Sequence, residues 1–543
     1  MNRDRIRTAR AAALAAALAL AAAGCAPSED DLEGPGEPGE LRVLAGSELA
    51  DMEPLLADAA EEIGVTVHMD YVGTLDGVDM VRSGATENRY DAVWFSSNRY
   101  LTLHADGRAA LRAETPVMAS PVVLGVTSSA AAELGWDEDA EVTWGEIADA
   151  AADGKLSYGM TSPAASNSGF TALVGIASAL ADTGSALESA DVAEVAPELT
   201  EFFSGQELTA GSSGWLTEEY VRRAADGGLN AMVNYESVLL SLSESGELAE
   251  PLRIVRPADG VITADYPLSL LETASDEVAE GYDRLVEHLT APGTQERISA
   301  ETHRRPMAAV PQGSEAAQMF PPVTELPFPA RPEVVDELVA AYFDEIRRPA
   351  RTVYVMDVSG SMQGDRIDGL RDAMHTLTGG GTDSTAGRYQ RFYEREEVTL
   401  LPFDTVPHPP MTFTIPPGNP APVLDEIGTA VDGLSLGEAT AAYDALASAY
   451  ETLEEGGGEE DAFTSIVLLT DGEVNEGRDF AEFRDEVHAG LPEELRGVPV
   501  FTVLFGESDA EEMESLAELS GGRVFDARET SLVRVFREIR GYQ

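Results

Sequence analysis

Thr352-Val353-Tyr354-Val355-Met356-Asp357-Val358-Ser359-Gly360-Ser361 is the stretch that decides the fold of the carboxyl-terminal third. Its first five residues are β-branched, aromatic or apolar, as in a strand buried on both faces of a parallel sheet. Asp357, Ser359 and Ser361 then fall at the strand's carboxyl end, where open α/β sheets place their ligand sites. A tight turn containing Gly360 delivers one carboxylate and two hydroxyls to one spot. All three are hard oxygen donors, suited to Mg²⁺ or Mn²⁺, with Ca²⁺ as the alternative. D-x-S-x-S alone is weak, arising by composition in on the order of one such chain in ten.

Two later features add to it. Thr440 precedes the helical stripe Tyr443, Leu446, Tyr450, Leu453, and Asp471 ends the apolar run Ile466-Val467-Leu468-Leu469-Thr470 before Gly472. Each has a bland alternative, Thr440 as a helix N-cap and the aspartates as caps or solvated turns. Further strands are expected at 398–401, 411–415, 499–505 and 523–525, the second an edge strand because prolines flank it. Helices are expected at 365–377, 440–453, 479–489, 510–518 and 529–540, and a mobile glycine-rich loop at 378–387. Alternating strands and helices imply a doubly wound, mostly parallel, Rossmann-like sheet.

On these residues, 351–543 resembles a von Willebrand factor A domain. Asp357-Val358-Ser359-Gly360-Ser361 resembles the first element of that family's metal-ion-dependent adhesion site, Thr440 its threonine and Thr470-Asp471-Gly472 its last aspartate. Glu438-Ala439 stand where the family often has glycines, a loop change that removes no ligand. The resemblance implies that Ser359, Ser361 and Thr440 touch the cation. It implies that Asp357 and Asp471 act directly or through water, and that a protein partner's carboxylate completes the shell.

The chain has 543 residues, enough for two or three domains. Its formal net charge is −61, from 97 acidic and 36 basic residues, which opposes nucleic-acid binding. The single cysteine, Cys25, excludes an internal disulfide framework and a cysteine-ligated cluster. The seven histidines show no metal-ligand spacing, and no phosphate loop or nucleophile elbow is present, so an enzyme is not expected.

Arg3, Arg5, Arg7 and Arg10 precede an apolar run from Ala11 to Ala23, too short to span a bilayer, which reads as a signal peptide over 1–24. Ala22-Ala23-Gly24-Cys25 resembles a bacterial lipobox, so Cys25 is the expected lipidation site. Lipidation anchors the protein to the extracytoplasmic face of the cell membrane. Residues 25–39 are Pro/Gly-rich and polar, a flexible tether reaching roughly 20 Å.

From 40 to 320, apolar runs alternate with helical stretches, and three of the first runs end in glycine or hydroxyl residues near Ser47, Thr74 and Ser97. This order resembles a type 2 periplasmic solute-binding protein with two lobes. The resemblance puts crossings near Ser120–Val126 and Asp265–Leu271 and a small-molecule solute between the lobes. Ser47, Thr74, Ser97, Ser120, Ser168 and Glu236 are the candidate contacts, against the commoner role of such hydroxyls as caps. Residues 321–350 read as a Pro-rich linker and a helix from Pro332. That helix carries the stripe Val335, Leu338, Val339, Tyr342, Phe343 and Ile346, packed on one domain or fixed between both. The whole reads as a membrane-anchored binding lipoprotein with a metal-dependent grip on a protein. The alternative is the solute receptor of an ABC-type transporter with an accessory A domain.

Overall fold

The computed structural model describes residues 39–543 except 138–139, 226, 311–312, 315–318, 380–390, 457–461, 472–473, 505, 507–509, 529–531 and 543. The signal segment, the tether and Cys25 lie outside the described residues, as does most of the glycine-rich loop.

Two sheets organise the first part. β1 (Glu40–Gly46), β2 (Thr66–Val72) and β3 (Ala92–Trp94) pair in parallel, and β4 (Leu111–Pro116) lies at the far edge. The second sheet follows with β5 (Met118–Thr127), β6 (Tyr158–Thr161), β7 (Gln206–Ala210), β8 (Ala231–Tyr235), β9 (Leu252–Val255) and β10 (Thr263–Ala264). β11 (Pro267–Leu271) returns to the first sheet between β3 and β4, antiparallel to both, and β12 (Arg305–Pro306) pairs with β5. The sheet orders are β2-β1-β3-β11-β4 and β10-β5-β8-β6-β7.

The chain thus crosses between two α/β lobes at Val117 and again at Asp265-Tyr266. The first crossing lies earlier than the expected Ser120–Val126, because that segment is already paired in the second sheet, Ser120 opposite Ala264 and Val122 opposite Tyr235. At the second, Tyr266 adopts a left-handed φ of 41°, unusual for a residue with a side chain. The strained residue is held from both sides. Its carbonyl accepts from Trp94 Nε1 at 3.0 Å and from the Val117 N–H at 3.3 Å.

The Pro-rich segment is docked on the second lobe. Val261 N–H donates to the Thr324 carbonyl (2.9 Å) and Leu326 N–H to the Val261 carbonyl (2.8 Å). Pro332 then opens the helix Pro332–Ala341, its fixed φ and absent N–H suiting the first turn. Val334, Val335, Leu338 and Val339 are buried against the helices Asn167–Ala181 and Ser189–Ser204. One turn on, Tyr342 meets Phe203 edge-on (centroids 4.9 Å apart), while Phe343 stacks flat on Tyr393 at 4.4 Å. Tyr393 belongs to the carboxyl-terminal unit, so the apolar stripe is a fixed joint between both units.

The third sheet contains β13 (Ala350–Asp357), β14 (Glu397–Phe403), β15 (Met411–Thr414), β16 (Phe463–Thr470), β17 (Val500–Leu504) and β18 (Arg523–Asp526). Its order is β15-β14-β13-β16-β17-β18, parallel except for the edge strand β15. The helices Asp365–Leu377, Ala421–Asp432 and Leu532–Arg540 cover one face; Ala442–Glu455 and Ala510–Ser520 cover the other. Val353, Tyr354, Val355 and Met356 in β13 are buried, alternating between the two faces. Burying each such side chain stabilises by roughly 1.5–3 kcal/mol. A charge at Val355, with no partner in either layer, would therefore break the sheet at its centre. A second contact closes the molecule: Trp215 of the second lobe packs edge-on against Tyr542 at 4.6 Å.

Candidate metal-binding edge and interlobe cleft

β13 and β16 run in parallel with Met356 opposite Leu469, which carries Asp357 and Thr470 to neighbouring positions at the carboxyl edge. Register matters here, because a one-residue slip would turn these side chains to the other face. Thr470 Oγ1 donates to Asp357 Oδ2 (2.9 Å), and Ser359 N–H donates to Asp357 Oδ1 (2.8 Å). The Ser359 and Ser361 hydroxyls lie 3.0 Å apart, and Ser361 Oγ donates to Asp471 Oδ1 at 2.8 Å. Four of the five expected residues are therefore joined in one hydrogen-bonded set.

The fifth arrives on a separate loop. Gly437 N–H donates to the Val358 carbonyl (2.7 Å) and Gly360 N–H to the Glu438 carbonyl (3.3 Å), stapling residues 437–441 onto the first loop. Thr440 N–H donates to Asn475 Oδ1 (2.9 Å), and Asn475 N–H to the Thr440 carbonyl (3.2 Å). Thr440 is not a cap: Ala441 holds that place in the helix Ala442–Glu455, without a side-chain cap bond. A buried threonine with its backbone held from both sides and no capping task suits a ligand position. Asp471 is backed by Gly506, where a Cβ would lie 1.9 Å from the Asp471 carbonyl oxygen. Only glycine permits that approach.

Asp357 and Asp471 are both buried. Burial pushes the Asp357 carboxyl above the usual carboxylate range; the bonds from Ser359 and Thr470 oppose this, and the Asp471 charge adds to it. Arg366, on the first turn of the helix Asp365–Leu377, pairs with Asp471 Oδ2 and donates to the Ser361 carbonyl at 3.3 Å. Two buried carboxylates and three nearby hydroxyl residues form an all-oxygen set whose chemistry fits a hard divalent cation. Among the described residues, no group of three or more His, Cys, Asp or Glu is placed to hold a metal, so hydroxyls are essential to this one.

The candidates in the first part are less uniform. Ser120 Oγ accepts from the Ser237 N–H at 3.0 Å, a structural bond at the base of the crossing strand. Ser97 Oγ accepts from the Arg99 N–H at 3.2 Å, the local turn role. Glu236 is fully buried and taken up by guanidinium groups, Arg256 Nε at 2.5 Å and Arg305 Nε at 2.7 Å, rather than open to a solute. Ser47 is exposed on a short 3₁₀ turn, and Thr74 opens the helix Thr74–Ser83. Ser168 lies in a buried hydroxyl cluster with Thr161 (2.8 Å), Ser213 (3.0 Å) and Ser166 (3.2 Å).

The lobes touch directly. Tyr235 of the second lobe donates to Ser96 Oγ of the first (2.9 Å), and Asn167 donates to Glu48 Oε1 (3.3 Å). A Cβ on Gly73 would lie 2.3 Å from the Ala165 carbonyl oxygen, so glycine is needed where the lobes meet. Burial lifts the Glu48 carboxyl upward, against its own backbone bond and the charge of Arg304. Arg304 is itself held by Asp51 (2.6 Å) and stacked over Tyr266.

The sequence reading missed Arg366, Asn475, Glu48 and Tyr235. Arg366 carried a signal, since a cation at a helix N-terminus opposes the dipole and asks for a local anion. The other three contacts depend on tertiary approach and carry no local signal.

Solved structures resemble the first part. A periplasmic binding protein from Actinobacillus pleuropneumoniae, with exogenous fructose-6-phosphate bound, is 13% identical. It aligns over 57% of this chain and 99% of its own, with a TM-score of 0.42. The ferric binding protein from Campylobacter jejuni is also 13% identical, over 56% and 98%, with a TM-score of 0.41. The sulfate-binding protein from Mycobacterium tuberculosis is 15% identical over 53% and 94%, with a TM-score of 0.40. No curated protein matches the chain. The family model described as von Willebrand factor type A domain matches residues 353–538. That span holds the six-stranded sheet apart from the first three residues of β13, and all five oxygen-bearing residues of its carboxyl edge: the last third of the chain is a von Willebrand factor type A domain, placed after a two-lobed α/β domain.

Proposed function

We propose that this is an extracytoplasmic, membrane-anchored binding protein without enzymatic activity, whose A domain grips a carboxylate of a protein partner through Mg²⁺ or Mn²⁺. The observation that carries the reading is the continuous set Thr470–Asp357–Ser359–Ser361–Asp471, with the Thr440 loop stapled beside it. Ser359, Ser361 and Thr440 would offer neutral oxygens, and Asp357 and Asp471 the charge. The bound ion would supply a positive centre with an open position. On a chain of net charge −61, such a centre is a rare place where an acidic group is welcome. The two-lobed domain serves as a second binding module for a small solute, with Cys25 as the lipid anchor.

The test uses the full chain. Mn²⁺ binds the wild type in a calorimetric titration and fails to bind Asp357→Ala, and EDTA abolishes capture of partners from membrane extracts. Equal Mn²⁺ binding by both proteins removes the metal site from this edge. Chelator-insensitive capture removes the metal from the function. The two crossings between lobes favour a second reading, a solute receptor of an ABC-type transporter, in which the first domain closes on a solute and hands it to a permease.

A further inference from the structure

Arg366 is the one basic side chain that, among the described residues, forms an ion pair with either buried carboxylate of the edge. Its placement is costly. The helix Asp365–Leu377 begins one residue earlier, so the guanidinium lies in the first turn, where the backbone dipole favours anions. The residue nevertheless folds back over the loop, reaching Asp471 Oδ2 and the Ser361 carbonyl. Its side chain is 39% exposed while that of Asp471 is fully buried, so the charge comes in from solvent to neutralise a group that cannot reach water. Asp471 is thereby satisfied twice, by Ser361 on one oxygen and by Arg366 on the other.

We propose that Arg366 is a built-in counter-ion that competes with the divalent cation at Asp471. Metal binding at this edge is then an exchange of one cation for another. The inference rests on the metal reading above and adds to it what sets the affinity. A divalent ion drawing on Asp471 takes charge that the guanidinium now uses. The Ser361 hydroxyl can keep its proton on Asp471 and still offer the ion a lone pair, so the exchange is confined to the guanidinium. The guanidinium gives Asp471 a counter-ion without metal, which eases the repulsion between the two buried carboxylates when the ion is scarce. It also lowers the affinity by the strength of the displaced pair. The arginine side chain is 39% exposed, so its guanidinium can swing from Asp471 into solvent without disturbing the core.

The experiment is a Mn²⁺ titration of the full chain by calorimetry, comparing wild type with Arg366→Gln, together with melting curves with and without Mn²⁺. Arg366→Gln is expected to bind Mn²⁺ about tenfold more tightly, the equivalent of about 1.4 kcal/mol. Its melting temperature without metal falls, and Mn²⁺ raises that temperature by more than it does for wild type. A merely structural role predicts weaker folding and equal or weaker Mn²⁺ binding, and that result overturns the proposal. The wild type offers a second readout. With ¹⁵N-labelled arginine, adding Mg²⁺ shifts the Arg366 Nε–H resonance and speeds its exchange with water; saturation with no change there overturns the proposal even if the variant fails to fold. If Mn²⁺ binds neither protein, the metal reading falls and this inference with it. If it binds wild type but binds Arg366→Gln no more tightly, only the inference falls.

Discussion

Replacing Glu396 by Gln should do more damage than any other isosteric change at the joint. The Glu396 side chain is 1% exposed and lies between Arg347, at 2%, and Arg540, at 3%. Arg540 Nη2 reaches both carboxylate oxygens, at 2.8 and 3.0 Å, Arg347 pairs with Oε1, and the Tyr393 N–H donates to Oε2 at 3.1 Å. Three parts of the chain meet there: the end of the linker, the start of β14 and the last helix. Glutamine keeps the shape and removes the charge, taking from two buried guanidinium groups the carboxylate they share. Breaking a buried pair in this way costs about 3–5 kcal/mol. With a urea slope of about 2 kcal/mol per molar, the midpoint falls by roughly 1.5–2.5 M. Circular dichroism on the full chain measures it. Tryptophan fluorescence alone misleads, because Trp94, Trp136, Trp144 and Trp215 all precede residue 350. A loss under about 1 kcal/mol with an unchanged slope would refute the reasoning and class the triad with exposed ion pairs.

Two other outcomes are expected. Cys25→Ser releases the protein from membranes into the soluble fraction; an unmodified wild-type amino terminus found by mass spectrometry overturns the anchor. Trp215→Ala removes the edge-on contact with Tyr542 and lowers the stability of the A domain by about 2–3 kcal/mol, a partial version of full aromatic truncation in a core. An unchanged unfolding curve shows that this ring contact contributes nothing.

The grouping of oxygen-bearing residues at the third sheet's edge was the most legible part of the chain, and the reason is local. Asp357, Ser359 and Ser361 sit within five residues that also announce a strand end, and Asp471 follows an apolar run that can only be a buried strand. Their meeting then needs nothing beyond parallel order. The helix stripe from Val335 to Ile346 was legible as apolar and left two readings open, a helix on one domain or a joint between both; its second partner, Tyr393, some fifty residues on, decides for the joint. The candidate contacts between the lobes read poorly for the same reason. Glu236 looks like an open acid until Arg256 and Arg305 are brought to it, and Ser97 and Ser120 satisfy backbone amides as serines commonly do. Tyr266 gave no warning of its left-handed backbone, because glycine or asparagine usually marks that conformation.

The joint built by Phe343, Tyr393 and the Glu396 triad bears on how two binding events would combine. Units on a loose linker sample many separations, and a two-headed ligand then sees an effective concentration set by linker length. Here the segment between the units is packed along its length, from Thr324 on the second lobe to Arg347 on the A domain. The lobe boundary and the oxygen-lined edge of the A domain therefore stand at one spacing. If the proposed function holds, a partner that touches both would lose little entropy in doing so but would have to match that spacing, as an object meets a ruler rather than a tether.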